Sequence, residues 1–266
     1  MNNLEQTLKK VKYFLLDMDG TVYLGDKVIG ETDKTLDKIR QSGRKIIYLT
    51  NNSSKSRKTY EDKLKKMNLY MSGDEVYSSG MAAAEFLVRE RKDKTVCLLG
   101  TAALKAEFEE KGIILTDKNP DICVLAYDTE LTYAKLCAFT DGLFGGAEYI
   151  ATHPDAVCPA DGYSVPDAGA FAAMIEVATG RKPDKIIGKP YTGMGEELKS
   201  RFSAENDEFI MIGDRLHTDI AFGVNCGFHT ALVLSGESTA EQAAKLKDKK
   251  PEFILNKLDD ISNITL

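Results

Sequence analysis

Four apolar runs of this chain are each followed by a polar side chain, and the four types are chemically complementary. Asp17 follows "YFLL", Thr50 follows "IIYL", Lys189 follows "IIG" and Asp214 follows "FIMIG". Short apolar runs predict buried strands, and the carboxyl ends of parallel strands share one sheet edge, where open α/β folds bind ligands. Because charged residues are rarely buried without a role, we expect these four side chains to form one site.

The residue types at these strand ends predict a metal ion and a phosphate group. Asp17 and Asp19 are two positions apart, so their side chains point the same way in an extended chain. Gly20 lets the chain turn sharply behind them. Gathered carboxylates suit a hard cation, for which Mg²⁺ is the default, whereas a lysine beside a hydroxyl suits an anion with several oxygens. Main-chain N–H groups at the start of the helix after Thr50-Asn51-Asn52 could add donors to phosphate.

Electrostatic repulsion supports the presence of a cation. A carboxylate and a phosphate dianion about 4 Å apart repel by roughly 8 kcal/mol at an effective dielectric constant of 20. An aspartate could not attack a phosphate against that repulsion unless positive charge offset it. We expect Mg²⁺ and the ammonium group of Lys189 to supply this charge.

Short β-rich runs alternate with helix-like segments, which is the pattern of a parallel sheet covered by helices. The runs with polar ends predict a core sheet, with "EFIL" near the C-terminus as an edge strand. A second series, "KTVCLLG", "DICVLAY" and "EYIATHP", predicts a second α/β domain, and "GRKP" predicts the linker that follows it. We therefore expect core segments at 1–80 and 183–266, interrupted by an inserted α/β domain at 81–182.

Helix signals fall between these runs. A helix that ends near a glycine is predicted over Thr32–Ser42, and a second begins at a cap formed by Ser53 or Ser54 and continues to about Met67. The inserted segment carries three further predicted helices, at about Ala102–Lys111, Tyr133–Leu143 and Ala168–Thr179.

Composition limits the class of protein. The chain has 266 residues, of which 43% are hydrophobic, and a net charge of −6, which argues against a broad basic face for nucleic acid. The five cysteines form no C-x-x-C pair, and Cys97 and Cys123 lie inside apolar runs, which predicts reduced core thiols and fits a reducing cytoplasm. The N-terminal segment is polar, unlike a signal peptide, and no apolar run approaches the roughly 20 residues that cross a bilayer. We expect a cytoplasmic protein that does not bind membranes.

Four motifs, in order, resemble those of the haloacid dehalogenase superfamily: "DMDGT", "LTNNS", "GKP" and "GDRLHTD". The segments "GTVYLGDKVI", "TNNSSKSR", "ATHPD" and "ATGRKP" resemble its 4-nitrophenylphosphatase-like, or NagD-type, branch. In that branch a large α/β cap is inserted between the second and third motifs, and only the long segment between Thr50 and Lys189 could hold one here. The resemblance implies a Rossmann-like, doubly wound parallel-sheet core with an inserted α/β cap. Asp19 disfavours a true dehalogenase, because those enzymes lack the second aspartate.

The resemblance also implies a Mg²⁺-dependent phosphatase of small phosphomonoesters. Asp17 would be the nucleophile that forms an aspartyl-phosphate. Asp19 would act as general acid and base, first protonating the leaving alcohol and then activating water. The residues around the metal would be Asp17, the main-chain carbonyl of Asp19, Asp214 and, orienting the shell, Asp219.

The remaining implied roles concern the substrate. The phosphoryl oxygens would be bound by Thr50, Asn51, Asn52 and Lys189. His153 in "ATHPD" and Asp167 in "VPDAGAF" depart from the asparagine and glycine common in the family, in the cap segment that should face the leaving group. His153 could contact substrate or lie on the cap surface, so the sequence leaves the substrate open. A homodimer through the cap is also left open.

Three other readings use similar residues. A phosphotransferase or mutase could use the same site, and product analysis in water would separate it from a hydrolase. A receiver-like signalling domain also carries a phospho-aspartate, but it needs no inserted cap, and Asp19 would hasten loss of the phosphoryl group. In a D-x-D glycosyltransferase the acidic pair normally follows a nucleotide-binding domain, whereas here it follows the first strand.

Overall fold

The computed structural model of the protein describes residues 3–160 and 163–264. Its strands, in chain order, are β1 Tyr13–Leu16, β2 Tyr23–Leu24, β3 Lys27–Val28, β4 Lys45–Thr50, β5 Glu75–Ser78, β6 Thr95–Leu99, β7 Ile114–Leu115, β8 Ile122–Leu125, β9 Glu148–Ala151, β10 Val157–Ala160, β11 Tyr163–Pro166, β12 Lys185–Ile186, β13 Phe209–Gly213, β14 His229–Val233 and β15 Phe253–Leu255.

The α-helices are, in chain order, α1 Asn3–Leu8, α2 Thr32–Gln41, α3 Arg57–Lys66, α4 Ser79–Glu90, α5 Ala102–Glu110, α6 Tyr133–Phe144, α7 Ala168–Thr179, α8 Gly193–Phe202, α9 Ala221–Cys226 and α10 Ala240–Lys245. Shorter helical turns of other types lie at Asn206–Glu208, Leu216–Ile220 and Leu258–Asn263. Among the described helices, none is long and apolar enough to span a membrane.

Contacts between residues divide the chain into two compact units. The first unit contains the residues up to Thr50, Arg57–Tyr77 and those from Leu198 onward, and the second contains Asn51–Ser56 and Ser78–Glu197. The boundaries expected from the sequence, at 80 and 182, stay a prediction.

A six-stranded sheet forms the centre of the first unit, in the order β15-β14-β13-β1-β4-β5. The four pairings from β15 to β4 are parallel. From β1 the chain continues to β4 on one side and returns later to β13 on the other, so the strand order reverses at β1. This arrangement is doubly wound, and the carboxyl ends of β1 and β13 lie at its switch point, where such sheets bind ligands. Buried side chains of β1, β4, β13 and α2 share one apolar core.

A five-stranded parallel sheet forms the centre of the second unit, in the order β12-β9-β8-β6-β7. Side chains of β6, β8, β9, α6 and α7 pack into its core. The α/β fold class expected from the sequence, a doubly wound parallel sheet with a second α/β domain, is thus confirmed. The edge strand expected at "EFIL" is confirmed as β15, which pairs with β14.

The expectation that the run at Ile186–Gly188 adds a strand to the core sheet is wrong. Strand β12 pairs instead with β9, and the pairing continues when Gly188 N–H donates to the Thr152 carbonyl at 2.7 Å. A Cβ on Gly188 would lie 2.7 Å from the Thr152 oxygen, so glycine permits this close approach. A short apolar run predicts a strand but does not carry information about which sheet that strand joins.

The helix expected to begin at Ser53 or Ser54 begins only at Arg57. The Asn52 side-chain oxygen accepts hydrogen bonds from the main-chain N–H and the hydroxyl of Ser54, at 3.0 and 2.8 Å. Thr101 donates its hydroxyl to the Ser54 carbonyl at 3.0 Å. These contacts hold the segment in a turn, which competes with the helical conformation.

Candidate active site

Three aspartates meet at the switch point of the first sheet. Asp17 follows β1, its N–H donates to the Ile212 carbonyl of β13 at 2.9 Å, and Asp214 follows β13 directly. Asp219 comes from the helical turn Leu216–Ile220. Each of the three carboxylates offers an oxygen within 4.8 Å of the others, and all three residues are buried. We call Asp17, Asp214 and Asp219 the acidic cluster.

Two glycines leave the room that this cluster occupies. A Cβ on Gly20 would lie 2.5 Å from Asp214 Oδ2, and one on Gly236 would lie 2.0 Å from the same oxygen. Gly20 also has a φ of +87°, a conformation that other residues rarely adopt. The glycine of "DMDGT" therefore serves both the turn and the close packing around Asp214.

Burial and mutual repulsion act on Asp214. Burial raises its pKa to about 7, with further contributions from the charges of Asp17 and Asp219. The Glu237 N–H donates to Asp214 Oδ2 at 2.8 Å, but Asp214 Oδ1 is buried without a hydrogen-bond partner in the described part of the chain. Hard carboxylate oxygens and an unpaired buried acceptor fit a divalent cation such as Mg²⁺.

Asp19 lies in the same unit but its carboxylate is not part of the acidic cluster. The residue is exposed, and the chain behind it turns where Gly20 N–H donates to the Tyr23 carbonyl at 2.7 Å. Partial loss of hydration raises the pKa of Asp19, against the opposing influence of Lys63 and the Gly25 N–H. A raised pKa favours the protonated form, which a general acid requires.

Thr50 is the last residue of β4 and is half-buried. Strand β4 pairs in parallel with β1, on the side opposite β13. Thr50 and Asp17 therefore lie at the same edge of the sheet, as the sequence predicts.

Asn51 and Lys189 are joined within the second unit. Asn51 Oδ1 accepts the Lys189 N–H at 2.8 Å, and Asn51 Nδ2 donates to the Lys189 carbonyl at 2.8 Å. The same Nδ2 lies 3.2 and 3.1 Å from the two carboxylate oxygens of Asp155. Lys189 is fully buried. The side chain of Asn52 makes other contacts, with Ser54 and with the Cys158 sulfur.

A second group of potential metal ligands in this unit consists of His153, Asp155 and Asp167, which we call the histidine cluster. His153 Nε2 lies 2.9 Å from Asp167 Oδ1, which also accepts the Ala168 N–H at the start of α7. Because an ionised carboxylate only accepts, Nε2 carries the proton.

The remaining contacts of His153 are also internal. Its Nδ1 faces the hydroxyls of Thr152 and Ser79, at 3.0 and 3.3 Å. His153 and Asp167 are 1% and 3% exposed, so His153 does not lie on the surface of this unit, which was one of the two alternatives that the sequence leaves open. Sequence reasoning missed Asp155, although its position just after β9 in "ATHPD" is a strand-end signal of the kind that identified Asp17.

Two family models match the sequence. One, described as haloacid dehalogenase-like hydrolase, matches residues 14–114, and one described as HAD-hydrolase-like matches residues 186–261. A curated relative from Staphylococcus haemolyticus, named acid sugar phosphatase, is 33% identical over 253 residues and covers 95% of each chain. A protein of the same name from Staphylococcus aureus is 31% identical over 254 residues, 95% of this chain and 97% of the relative.

Solved structures agree with these matches. A 4-nitrophenylphosphatase from Thermotoga maritima is 38% identical, with a TM-score of 0.92 over 98% of this chain and 99% of that one. A p-nitrophenyl phosphatase from Archaeoglobus fulgidus is 27% identical, with a TM-score of 0.87 over 96% and 99% of the two chains. The chain therefore belongs to the haloacid dehalogenase-like hydrolases, in the 4-nitrophenylphosphatase-like, NagD-type branch of phosphatases.

Proposed function

We propose that the protein is a Mg²⁺-dependent phosphatase that hydrolyses small phosphomonoesters through an aspartyl-phosphate on Asp17. The observation that carries this proposal is the acidic cluster, in which Asp214 Oδ1 is buried without a partner in the described residues. Gathered buried carboxylates are strongly unfavourable unless positive charge offsets their repulsion. Bound Mg²⁺ would supply that charge and neutralise the phosphoryl group.

The proposed division of labour follows the chemistry of each side chain. The Asp17 carboxylate attacks phosphorus, the bond to the leaving oxygen breaks, and Asp19 gives its proton to the leaving alcohol. The Asp19 carboxylate then takes a proton from water, which attacks the phosphorus of the aspartyl-phosphate and restores Asp17. The raised pKa of Asp19 supports the acid role in the first step.

The remaining proposed roles are in binding. Thr50 and Lys189 bind the phosphoryl oxygens, and Asn51 and Asn52 contribute through their main chain, because their side chains have other partners. The metal would be held by Asp17, the Asp19 carbonyl and Asp214, with Asp219 orienting them.

Sugar phosphates are the substrate class that we propose, with 4-nitrophenyl phosphate as a surrogate. Support comes from the relatives named acid sugar phosphatase and 4-nitrophenylphosphatase, whose identity to this chain extends over nearly its full length. The natural partner is then a small phosphorylated metabolite.

Phosphate release and a trapped intermediate together test the proposal. With Mg²⁺, the protein should release inorganic phosphate from a panel of sugar phosphates, and EDTA should abolish this release. Asp19→Asn should slow an alkyl phosphate by about 10²–10⁴-fold in the first step. With 4-nitrophenyl phosphate, whose leaving group needs no proton, this variant should instead show a burst of nitrophenol and a phosphoryl adduct by intact-protein mass spectrometry.

Two results would reject the proposal. Full activity in EDTA would show that the reaction does not need a metal ion. Transfer of the phosphoryl group to another hydroxyl of the sugar, without free phosphate, would identify a mutase instead.

We also propose a homodimer through the second unit and a cytoplasmic location. Helices α6 and α7 contact each other, and they expose the apolar side chains Tyr133, Phe144, Met174 and Val177. A patch formed by these apolar groups would be a surface for a second copy of the chain. Light scattering of the purified protein would test the dimer, and the cysteine content supports the proposed location.

A further inference from the structure

The Asn51 side chain makes two hydrogen bonds to the main chain of a single residue, Lys189. Its Oδ1 accepts the main-chain N–H of Lys189 and its Nδ2 donates to the carbonyl of the same residue, both at 2.8 Å. Asn51 is 3% exposed. Both polar atoms of the amide are therefore used in fixing the backbone of a residue that lies far away in sequence.

Asp155 determines which way this amide points. Both of its carboxylate oxygens lie within hydrogen-bond distance of Asn51 Nδ2, at 3.2 and 3.1 Å. A carboxylate only accepts, so a flipped amide would set Oδ1 against negative charge. The same flip would break both contacts with Lys189, since an oxygen would face a carbonyl and an NH₂ group would face an N–H.

The loop that carries Asp155 is itself fixed against the start of α7. The Gly169 N–H donates to the Asp155 carbonyl at 2.8 Å, and the Asp167 N–H donates to the Ala156 carbonyl at 3.0 Å. A Cβ on Gly169 would lie 2.2 Å from the Pro154 oxygen, so this approach requires glycine. The contact between His153 and Asp167 adds a side-chain bond across the same loop.

A hydrogen bond and close packing also fix Gly188, the residue before Lys189. Gly188 N–H donates to the Thr152 carbonyl, and a Cβ on Gly188 would lie 2.7 Å from Asn51 Oδ1. The main chain that carries the Lys189 side chain is thus held in place both at Lys189 itself and at the residue before it.

We infer that Asn51 is a positioning residue for Lys189, and that Asp155 fixes Asn51 in the orientation that holds the lysine backbone. The inference rests on the proposed function, in which Lys189 binds the phosphoryl oxygens. A lysine ammonium sits on a long flexible stem, and a misplacement of about 1 Å at a site can cost on the order of 10²-fold in rate. A fixed backbone reduces that freedom, so the Asn51 side chain affects phosphate binding through Lys189.

A double-mutant cycle tests this. The readouts are the Kd for inorganic phosphate in Mg²⁺, by calorimetry, and the separate kcat and KM for 4-nitrophenyl phosphate. We expect Asn51→Ala to raise Kd and KM by about 10-fold and Lys189→Met to raise them at least as much. Because the asparagine acts through the lysine, the double variant should be within about twofold of Lys189→Met.

The outcomes separate the two proposals. If Lys189→Met leaves the Kd for phosphate unchanged, the proposed role of Lys189 fails. If Lys189→Met weakens phosphate binding but the two effects multiply in the double variant, only the positioning role of Asn51 is overturned.

The direction in which Asp155→Asn changes phosphate binding tests the role of Asp155. If Asp155 were only a negative charge near the site, its removal would tighten phosphate binding; if it orients Asn51, removal should weaken binding by about threefold. Tighter or unchanged binding would overturn its role.

Thr132→Ala controls for lost stability, because it removes the N-cap of α6 in the same unit without contacting Lys189. If Kd rises equally in this variant, lost stability would explain the effect of Asn51→Ala. That result would overturn the inference.

Discussion

The acidic cluster and the histidine cluster have similar residues but differ in the hydrogen bonding of one buried oxygen, Asp214 Oδ1. In the histidine cluster, Asp167 accepts from His153 and from the α7 N-terminus, and Asp155 accepts from Asn51. In the acidic cluster, Asp214 has a buried oxygen without a partner in the described residues, and its pKa is raised to about 7. Proximity of metal-binding residue types therefore does not identify a metal site by itself.

The comparison leads us to propose that a buried carboxylate oxygen without a hydrogen-bond partner indicates the cluster that binds a metal ion. A buried carboxylate oxygen that has a hydrogen-bond partner contributes to the stability of the fold, whereas one without a partner in the described residues, such as Asp214 Oδ1, destabilises it until a ligand binds. The predictions below test this contrast.

The largest effect is expected at the nucleophile. Asp17→Asn should lower phosphate release by about 10⁴-fold or more, because an amide attacks phosphorus poorly and gives no acyl-phosphate. The control is Asp141→Asn, which removes an exposed carboxylate of α6 that belongs to neither cluster. Turnover by Asp17→Asn within tenfold of the parent protein would show that the reaction does not pass through this residue.

Opposite effects on stability are expected from the same substitution in the two clusters. In EDTA at about pH 8, Asp214→Asn should raise the free energy of unfolding by about 4 kcal/mol, since a rise in pKa of roughly three units destabilises the ionised form by that amount. Asp167→Asn should lower it by about 1–3 kcal/mol, because it weakens a paired acceptor.

Urea unfolding measures both changes. Loss of stability in both variants would mean that the carboxylates of the acidic cluster are hydrogen-bonded as well as those of the histidine cluster. The contrast between the two clusters would then not hold.

The acidic cluster follows largely from the sequence, whereas the histidine cluster does not, and the difference has a physical cause. The strand-end pattern predicts that Asp17 and Asp214 meet, because the carboxyl ends of parallel strands share one edge, and β1 and β13 do pair in parallel. It does not predict that β12 joins the sheet of the second unit, because a strand of two residues does not indicate which strand it pairs with. The sequence also does not predict the hydrogen-bond partners of His153, because they depend on the contact between the loop after β9 and the start of α7.

Stabilisation by Mg²⁺ should depend on pH. The raised pKa of Asp214 in the metal-free protein means that this group destabilises the fold as pH rises from about 4 to about 7. At about pH 8 a Mg²⁺ concentration of about 100 Kd should add roughly 2–3 kcal/mol, and at about pH 5.5 less, because the ion must displace a proton.

Thermal unfolding with and without Mg²⁺ at the two pH values would show this difference. Asp214→Asn, which should lose the metal site, should show little stabilisation by Mg²⁺ at either pH. Equal stabilisation at both pH values in the parent protein would contradict the assignment of the proton to Asp214.

Direct metal binding tests the central contrast most sharply. Mn²⁺ titration followed by electron paramagnetic resonance would count the ions bound by the parent protein, by Asp214→Asn and by Asp167→Asn. We expect a single tight site in the parent protein, its loss in Asp214→Asn and its retention in folded Asp167→Asn. Retention of the tight site in Asp214→Asn together with its loss in Asp167→Asn would place the metal in the histidine cluster and contradict the account.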